Sequence, residues 1–133
     1  MKCVDTCFVI DLLRGVEEAV AESERLDAEG GAAITAVSVF ELWLGLGALR
    51  GRRRARAAEQ LRAVLDRLYV LKMDAPSAEK AAQIFVEARE RGRQIEQNDA
   101  LIAGICISAG CEALVTRNVG HFEGVRNLKI SPY

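Results

Sequence analysis

The sequence has few of the residues that mark several common classes of protein. It contains two prolines among 133 residues, and half of its residues are hydrophobic, a composition that excludes a disordered or low-complexity chain. No apolar run approaches the roughly 18 uncharged residues that span a bilayer, so we expect no membrane association. Asp5, Asp11 and Arg14 interrupt the apolar start of the chain, which argues against a signal peptide. We therefore expect a single cytoplasmic domain that covers residues 1–133.

Histidine and cysteine, the usual zinc ligands, are scarce or unsuitably spaced. His121 is the one histidine, which leaves no second histidine for a zinc site of the H-E-x-x-H kind. The four cysteines, Cys3, Cys7, Cys106 and Cys111, form no C-x2-C pair, and each lies in or beside an apolar stretch. We expect them to be reduced, buried and chemically inert.

Short apolar segments alternate with helical patterns along most of the chain. The predicted strands cover 2–5, 32–35, 69–71, 113–116 and 128–131, and the predicted helices cover 6–13, 17–29, 39–46, about 55–68, 77–91 and 98–109. This alternation predicts an α/β fold in three layers, with a central, mostly parallel β-sheet flanked by helices. Such sheets bind ligands beyond the carboxyl ends of their strands, so we expect the functional residues there.

Three acidic residues stand in otherwise apolar surroundings. Asp5 follows the first predicted strand, Glu41 interrupts an apolar helix, and Asp99 directly precedes the most apolar helix. Each has a purely structural alternative. Ser38 with Glu41 matches a capping box, and Asp5 could begin the helix that follows it. Asn98 could be an N-cap, with Asp99 as an acid of the first turn that the helix dipole favours.

Taken together, the three acids favour a metal site. All of them fall at strand-to-helix junctions or first helical turns, so a parallel sheet would bring their carboxylates to one edge. Carboxylates that converge in a partly apolar pocket repel one another unless a cation joins them. Oxygen ligands without histidine or cysteine select a hard ion, Mg²⁺ or Mn²⁺. The residues therefore indicate metal-dependent phosphoryl transfer or hydrolysis.

Four segments carry a resemblance to a known family. They are Val4–Leu13, Thr35–Leu42, Asn98–Ala103 and Leu114–Asn118, the last followed by His121 and Phe122. In this order and at these spacings they resemble the motifs of PIN-domain ribonucleases, in particular the VapC-type toxins of toxin–antitoxin pairs. The resemblance extends from residue 2 to about residue 131.

The resemblance implies a parallel-sheet PIN fold, a Mg²⁺ site and endonucleolytic cleavage of RNA. It also implies a homodimer and a cognate antitoxin that covers the acidic groove. Asp5, Glu41 and Asp99 match the metal-binding acids of the family, and Thr6 matches a polar position beside the first acid. Asn118 would complete the catalytic set by positioning a water molecule or, like Thr6, a phosphate oxygen.

The fourth motif departs from the family pattern. Family members often carry aspartate at the position of Asn118 or of His121, and this chain has no acid at either. The sequence therefore leaves open whether one or two metal ions bind. It also leaves open a degenerate PIN module that binds RNA or a protein without cutting. A phosphatase-like hydrolase is a third alternative, which is disfavoured because Cys7 stands where a D-x-D motif needs its second acid.

Basic residues concentrate in one segment although the net charge is −1. Five arginines lie between residues 50 and 56. We predict that Arg52, Arg53 and Arg54 bind the RNA backbone at the rim of the acidic site. The alternatives are that they pair with acids of the antitoxin or of a second subunit, or that they form a solvated helix start.

Overall fold

Five short strands and seven helices make up the structure, a computed structural model that describes residues 1–133. The strands are Cys3–Val4 (β1), Ala32–Thr35 (β2), Leu68–Leu71 (β3), Leu114–Val115 (β4) and Ile130–Ser131 (β5). The helices are Thr6–Leu13 (α1), Glu17–Ala28 (α2), Ala36–Gly45 (α3), Gly51–Leu65 (α4), Ala75–Glu90 (α5), Gln97–Ser108 (α6) and Val119–Phe122 (α7), with a 3₁₀ turn at Leu46–Ala48. None of the helices has the length and hydropathy of a membrane span.

The strands form one parallel sheet in the order β3-β2-β1-β4-β5. The central strand is β1, in which Val4 pairs with Ile34 of β2 and Val115 of β4. The predicted α/β class is confirmed, and every strand is parallel to its neighbours. Because all five strands run the same way, their carboxyl ends lie along a single edge of the sheet, where the chain enters α1, α3 and α7.

Both faces of the sheet are buried, as expected of a parallel sheet covered by helices. On one face, Cys3 packs in a core with residues of α5, α6 and α7, including Ile102 and Phe122. On the other face, Val4 packs with residues of α1, α2 and α4, including Phe8 and Leu61. The alternation of Cys3 and Val4 across β1 thus divides the core into two layers and gives the predicted three-layer arrangement.

Helices α5 and α6 pack more closely than side chains normally allow. A Cβ atom placed on Gly104 of α6 would lie 2.7 Å from the carbonyl oxygen of Ser77 and 2.7 Å from the amide nitrogen of Ala81, both on α5. Glycine is therefore required at this position for the two backbones to touch. The contact fixes where α6 lies against the sheet, and α6 carries Asp99 near its first residue.

Helix starts account for most of the differences from the sequence prediction. Helix α3 begins at Ala36, because Thr35 is the N-cap and its hydroxyl accepts a hydrogen bond of 3.0 Å from the amide of Ser38. A capping box formed by Ser38 and Glu41 is therefore wrong. Helix α4 begins at Gly51 and ends at Leu65, four and three residues earlier than predicted. The short helix α7 was not predicted.

Candidate active site

The carboxyl edge of the sheet borders an open cleft of about 670 Å³. Five of the predicted site residues line it, namely Asp5, Thr6, Glu41, Asp99 and Asn118. Its other lining residues are Cys7, Ile10, Glu96, Gln97, Asn98, Arg117 and His121. The three acids that the sequence singled out are thus brought together from three separate segments of the chain.

Asp5 occupies the junction between β1 and α1 and is held from several sides. It is 4% exposed and caps α1, since its Oδ1 accepts a hydrogen bond of 2.8 Å from the amide of Thr6. Its Oδ2 accepts a hydrogen bond of 2.8 Å from the hydroxyl of Thr116 and a weaker one of 3.4 Å from the thiol of Cys7. The capping prediction for Asp5 is confirmed, and capping does not exclude a second role, because both oxygens keep further lone pairs.

Glu41 lies in the second turn of α3 and is oriented by two neighbouring segments. Its Oε1 accepts a hydrogen bond of 2.6 Å from the hydroxyl of Thr6, and its Oε2 accepts one of 3.3 Å from the side-chain amide of Asn98. These two neutral donors fix the direction of the carboxylate and leave its charge unneutralised.

Asp99 belongs to the first turn of α6. The N-cap of that helix is Glu96, so the predicted N-cap role of Asn98 is wrong, and Asn98 serves Glu41 instead. One oxygen of Asp99 lies 3.1 Å from Nδ1 of His121. The pKa of Asp99 is raised to about 6, chiefly by burial; His121 opposes the rise, and the charges of Asp5 and Glu41 add to it.

None of the three carboxylates forms an ion pair with arginine or lysine. Arg117 lines the same cleft but pairs with Asp11, a buried acid of α1. The cleft therefore concentrates negative charge that the protein's own cations do not balance, which favours a bound cation.

Comparison with known proteins agrees with this geometry. A family model of the PIN domain matches residues 2–127. The chain belongs to the PIN-domain family. No curated protein sequence matches it.

The PIN domain is also similar to solved structures. A chain in the crystal structure of FitAcB from Neisseria gonorrhoeae is 28% identical, with a TM-score of 0.87 over 98% of this chain and 97% of that one. A chain of VapBC2 from Rickettsia felis, bound to a fragment of promoter DNA, is 22% identical, with a TM-score of 0.88 over 99% and 98%. A chain of VapBC-5 from Mycobacterium tuberculosis, a member of the VapBC family of toxin–antitoxin systems, is 23% identical with a TM-score of 0.75 over 99% and 98%. The two likenesses below 25% identity concern the fold.

The donor set of the cleft suits a hard divalent cation. It offers carboxylate, hydroxyl and amide oxygens, and Mg²⁺ prefers such ligands. The oxygens of Asp5, Glu41 and Asp99 are not all within 4.8 Å of one another. Mg²⁺ usually binds one or two carboxylates directly and keeps several waters, so the three acids need not all contact the ion.

Two residues, Asn118 and His121, are candidates for the fourth position of the site. The backbone N–H of Asn118 donates a hydrogen bond of 3.0 Å to the hydroxyl of Thr116, which in turn donates to Asp5. Asn118 and His121 both line the cleft, and His121 contacts Asp99. Thr116 therefore links the start of α7 to the first acid.

The sequence interpretation missed a network behind Arg117. Asp11 is 2% exposed, accepts a hydrogen bond from Arg117, and accepts another of 2.7 Å from the hydroxyl of Tyr133. The ring of Tyr133 packs edge-on against Phe8 at 5.2 Å between centroids. The missed signal was Asp11 itself, an acid within an apolar helix, as Glu41 is.

The arginine run is not part of the cleft lining. Arg52, Arg53 and Arg54 lie on the exposed first turn of α4. The guanidinium of Arg54 donates hydrogen bonds of 2.8 Å and 3.0 Å to the carbonyl oxygens of Leu49 and Gly47, which steadies the turn before the helix. Contact of this run with RNA stays a prediction.

Proposed function

We propose that this PIN domain is a Mg²⁺-dependent endoribonuclease and the toxin of a toxin–antitoxin pair. One observation carries the proposal: three carboxylates from three segments meet in one cleft and none pairs with a lysine or arginine. The PIN-domain match and the likeness to FitAcB support the same interpretation.

Asp5, Glu41 and Asp99 would hold Mg²⁺ or Mn²⁺, which when bound polarises a phosphodiester and lowers the pKa of water. Asp5 and Glu41 suit this task because backbone and side-chain donors fix their orientation. Fixed ligands spare the site the cost of ordering them on binding.

The proton and phosphate roles fall to different residues. Asp99 would accept the proton of the attacking water, because it lines the cleft and burial raises the pKa of its carboxyl to about 6 in the metal-free protein. Arg117, anchored by Asp11, is 46% exposed at the cleft and can contact a phosphate. Thr6 and Asn118 would position the water or a phosphate oxygen.

The proposed partners are RNA, a cognate antitoxin and a second copy of the chain. The antitoxin is supported by structural similarity over nearly the whole chain to members of VapBC and FitAB assemblies. An unpaired acidic cleft is also a natural target for a basic segment of an inhibitor, because a buried arginine would neutralise it. The homodimer follows from the resemblance in sequence to VapC-type toxins.

The test is cleavage of a mixed single-stranded RNA by the isolated protein with Mg²⁺ and then with chelator. We expect cleavage that the chelator stops. The variants Asp99→Asn and Glu41→Gln should each lose about a hundredfold in rate, since each removes a negative charge that holds the ion or its bound waters. Both substitutions keep side-chain size and hydrogen bonding, so circular dichroism should show an intact fold.

Matched controls come from exposed acids of α4 and its C-cap. Asp66→Asn and Glu59→Gln make the same chemical changes away from the cleft and should cleave at the wild-type rate. Equal rates for wild type and Asp99→Asn would show that the cleft is not the active site. A wild-type protein that binds RNA in Mg²⁺ without cutting it would favour the degenerate module.

A further inference from the structure

A second cluster of ligand-type side chains lies at the opposite end of the sheet. Cys3 begins β1, Cys106 lies in the last turns of α6, and Cys111 precedes β4. The three sulfur atoms all lie within 4.8 Å of one another. Cys3 and Cys106 are fully buried, Cys111 is half-buried, and none forms a disulfide.

The backbone holds these thiols in place through hydrogen bonds. After α6, Gly110 adopts φ of +70°, and the amides of Gly110 and Cys111 donate to the carbonyl oxygens of Ile107 at 3.1 Å and Cys106 at 3.0 Å. This glycine-dependent ending folds the chain back so that Cys111 meets Cys106. Cys3 joins them because its own amide donates to the carbonyl oxygen of Ala113 at 2.9 Å.

The electrostatics of the cluster favour a positive ion. Three thiols this close favour a positive ion once they lose their protons, because a cation joins thiolates that would otherwise repel one another. The carboxyl end of α6, with its partial negative charge, also adjoins the cluster.

We propose that Cys3, Cys106 and Cys111 form a binding site for one thiophilic cation, with Cu(I) as the best fit. Thiolates select soft ions such as Cu(I) and Zn²⁺ over Mg²⁺. Zinc–sulfur bonds of about 2.3 Å would place tetrahedral sulfurs about 3.8 Å apart, so a small inward movement suffices. Zn²⁺ needs a fourth ligand, whereas Cu(I) is satisfied by three sulfurs, which is the number the cluster provides.

The test is an anaerobic titration of the reduced protein with Cu(I) in competition with a chromogenic chelator. We expect one Cu(I) per chain. Cys111→Ser should weaken binding by at least about a hundredfold, because a lost direct ligand costs more than a lost support. Cys7→Ala removes the fourth cysteine, which lies in the first turn of α1 beyond the carboxyl end of β1, and should bind Cu(I) as the wild type does.

A second readout keeps the test independent of folding. Cu(I) should raise the melting temperature of the wild type and of Cys7→Ala but leave Cys111→Ser unchanged, since a ligand of the native state stabilises it. Cys3→Ala removes a fully buried ligand and should lose Cu(I) binding as Cys111→Ser does. Circular dichroism checks that this variant folds. Equal Cu(I) affinity in wild type and Cys111→Ser would overturn the proposal. So would a Cys106–Cys111 disulfide in the freshly purified protein together with no Cu(I) binding after its reduction.

Discussion

At the carboxyl end of β1, Asp5 faces an open cleft with two other carboxylates nearby, whereas at the amino end Cys3 meets two thiols in the closed core. The two residues are separated only by Val4. The difference shows what each end of a parallel sheet can carry. Helices α1 and α6 begin at the carboxyl edge, where their amino termini favour anions, and α6 ends at the amino edge, where neutral thiols cost little to bury.

Contact with solvent explains a further difference between the two ends of β1. A carboxylate withdrawn from water without a cation costs several kcal/mol, so Asp5, which is 4% exposed, depends on its hydrogen bonds from Thr6 and Thr116. A thiol remains neutral in the core and becomes charged only when a soft ion replaces its proton. One strand and one helix, β1 and α6, connect the two ends, because α6 carries Asp99 near its start and Cys106 near its end.

The largest effect on stability is expected from a change in the middle of that shared helix. Gly104→Ala would place a methyl group 2.7 Å from backbone atoms of α5, so α6 must move. We expect a loss of about 3 kcal/mol in the free energy of unfolding, measured by urea denaturation. RNA cleavage and Cu(I) binding should weaken together, because α6 contributes to both sites.

Gly45→Ala is the control for this substitution. Gly45 ends α3, and a Cβ atom there would meet nothing within 4 Å. The change should be neutral or stabilise by up to about 1 kcal/mol through helix propensity. If Gly104→Ala proved as harmless, the close packing of α5 and α6 would not limit stability and the two sites would not be coupled through it.

A smaller effect, confined to the cleft, is expected from Asp99→Asn in the presence of chelator. The pKa of Asp99 is raised from 3.8 to about 6 by burial, so the folded state binds a proton more tightly than the unfolded state. Stability from this residue is full below about pH 4 and is lost as pH rises through 6. A shift of this size corresponds to about 3 kcal/mol at full value, and solvent screening of the half-buried carboxylate reduces it. Because the asparagine side chain cannot ionise, the free energy of unfolding of the variant at pH 7.5 should exceed that of the wild type by on the order of 2 kcal/mol.

Denaturation curves at pH 4 and pH 7.5 measure this difference. The two proteins should have closely similar stabilities at pH 4, and Asp66→Asn should follow the wild type at both values. A wild type more stable than Asp99→Asn at pH 7.5 without metal would mean that the carboxylates do not strain the fold. Cu(I) binding by Asp99→Asn should be unchanged, which would show that the charge of Asp99 does not affect the thiol cluster at the other end of the sheet.

The sequence predicted the parallel sheet and its three acids because those signals are local. Apolar runs mark the strands, and an acid at a strand end reaches the carboxyl edge whatever the detailed packing. Helix boundaries were less predictable. Thr35 and Ser38 are both good N-caps, and only the position of β2 decides that Thr35 is used. Asn98 was wrongly placed as a cap for the same reason.

Contacts between distant segments were beyond the sequence. Arg117 and Tyr133 reach Asp11 from positions 106 and 122 residues away, and no spacing rule announces such a network. The thiol cluster was missed in the same way, since Cys3 and Cys106 are adjacent only after β1 and α6 have packed. The signal that the sequence offered was an isolated polar or metal-ligating residue within an apolar segment. It identified single residues of each cluster but not the residues that they contact.

The smallest effect, a change in RNA affinity, is expected from the arginine run. Its variants test whether the cleft at the carboxyl end of the sheet binds RNA without help from these arginines. Helix α4 leads into the start of β3, at the amino edge of the sheet. Its first turn is therefore the end of the helix farther from that edge. Arg52 and Arg53 are exposed and have no ion-pair partner, whereas Arg54 holds the preceding turn. The informative variant therefore changes Arg52 and Arg53 to glutamine and leaves Arg54 in place.

If both arginines contact phosphates, the double variant should bind single-stranded RNA more weakly and its salt dependence should flatten. Each phosphate contact contributes about 0.7 to the slope of log K against log salt, so the slope should fall by about 1.4. Filter binding at several salt concentrations measures it, with Arg14→Gln, an exposed arginine beyond α1, as the control. An unchanged slope with weaker antitoxin binding or a lost dimer would assign the run to protein contacts, and no change in any of these would leave it a solvated helix start.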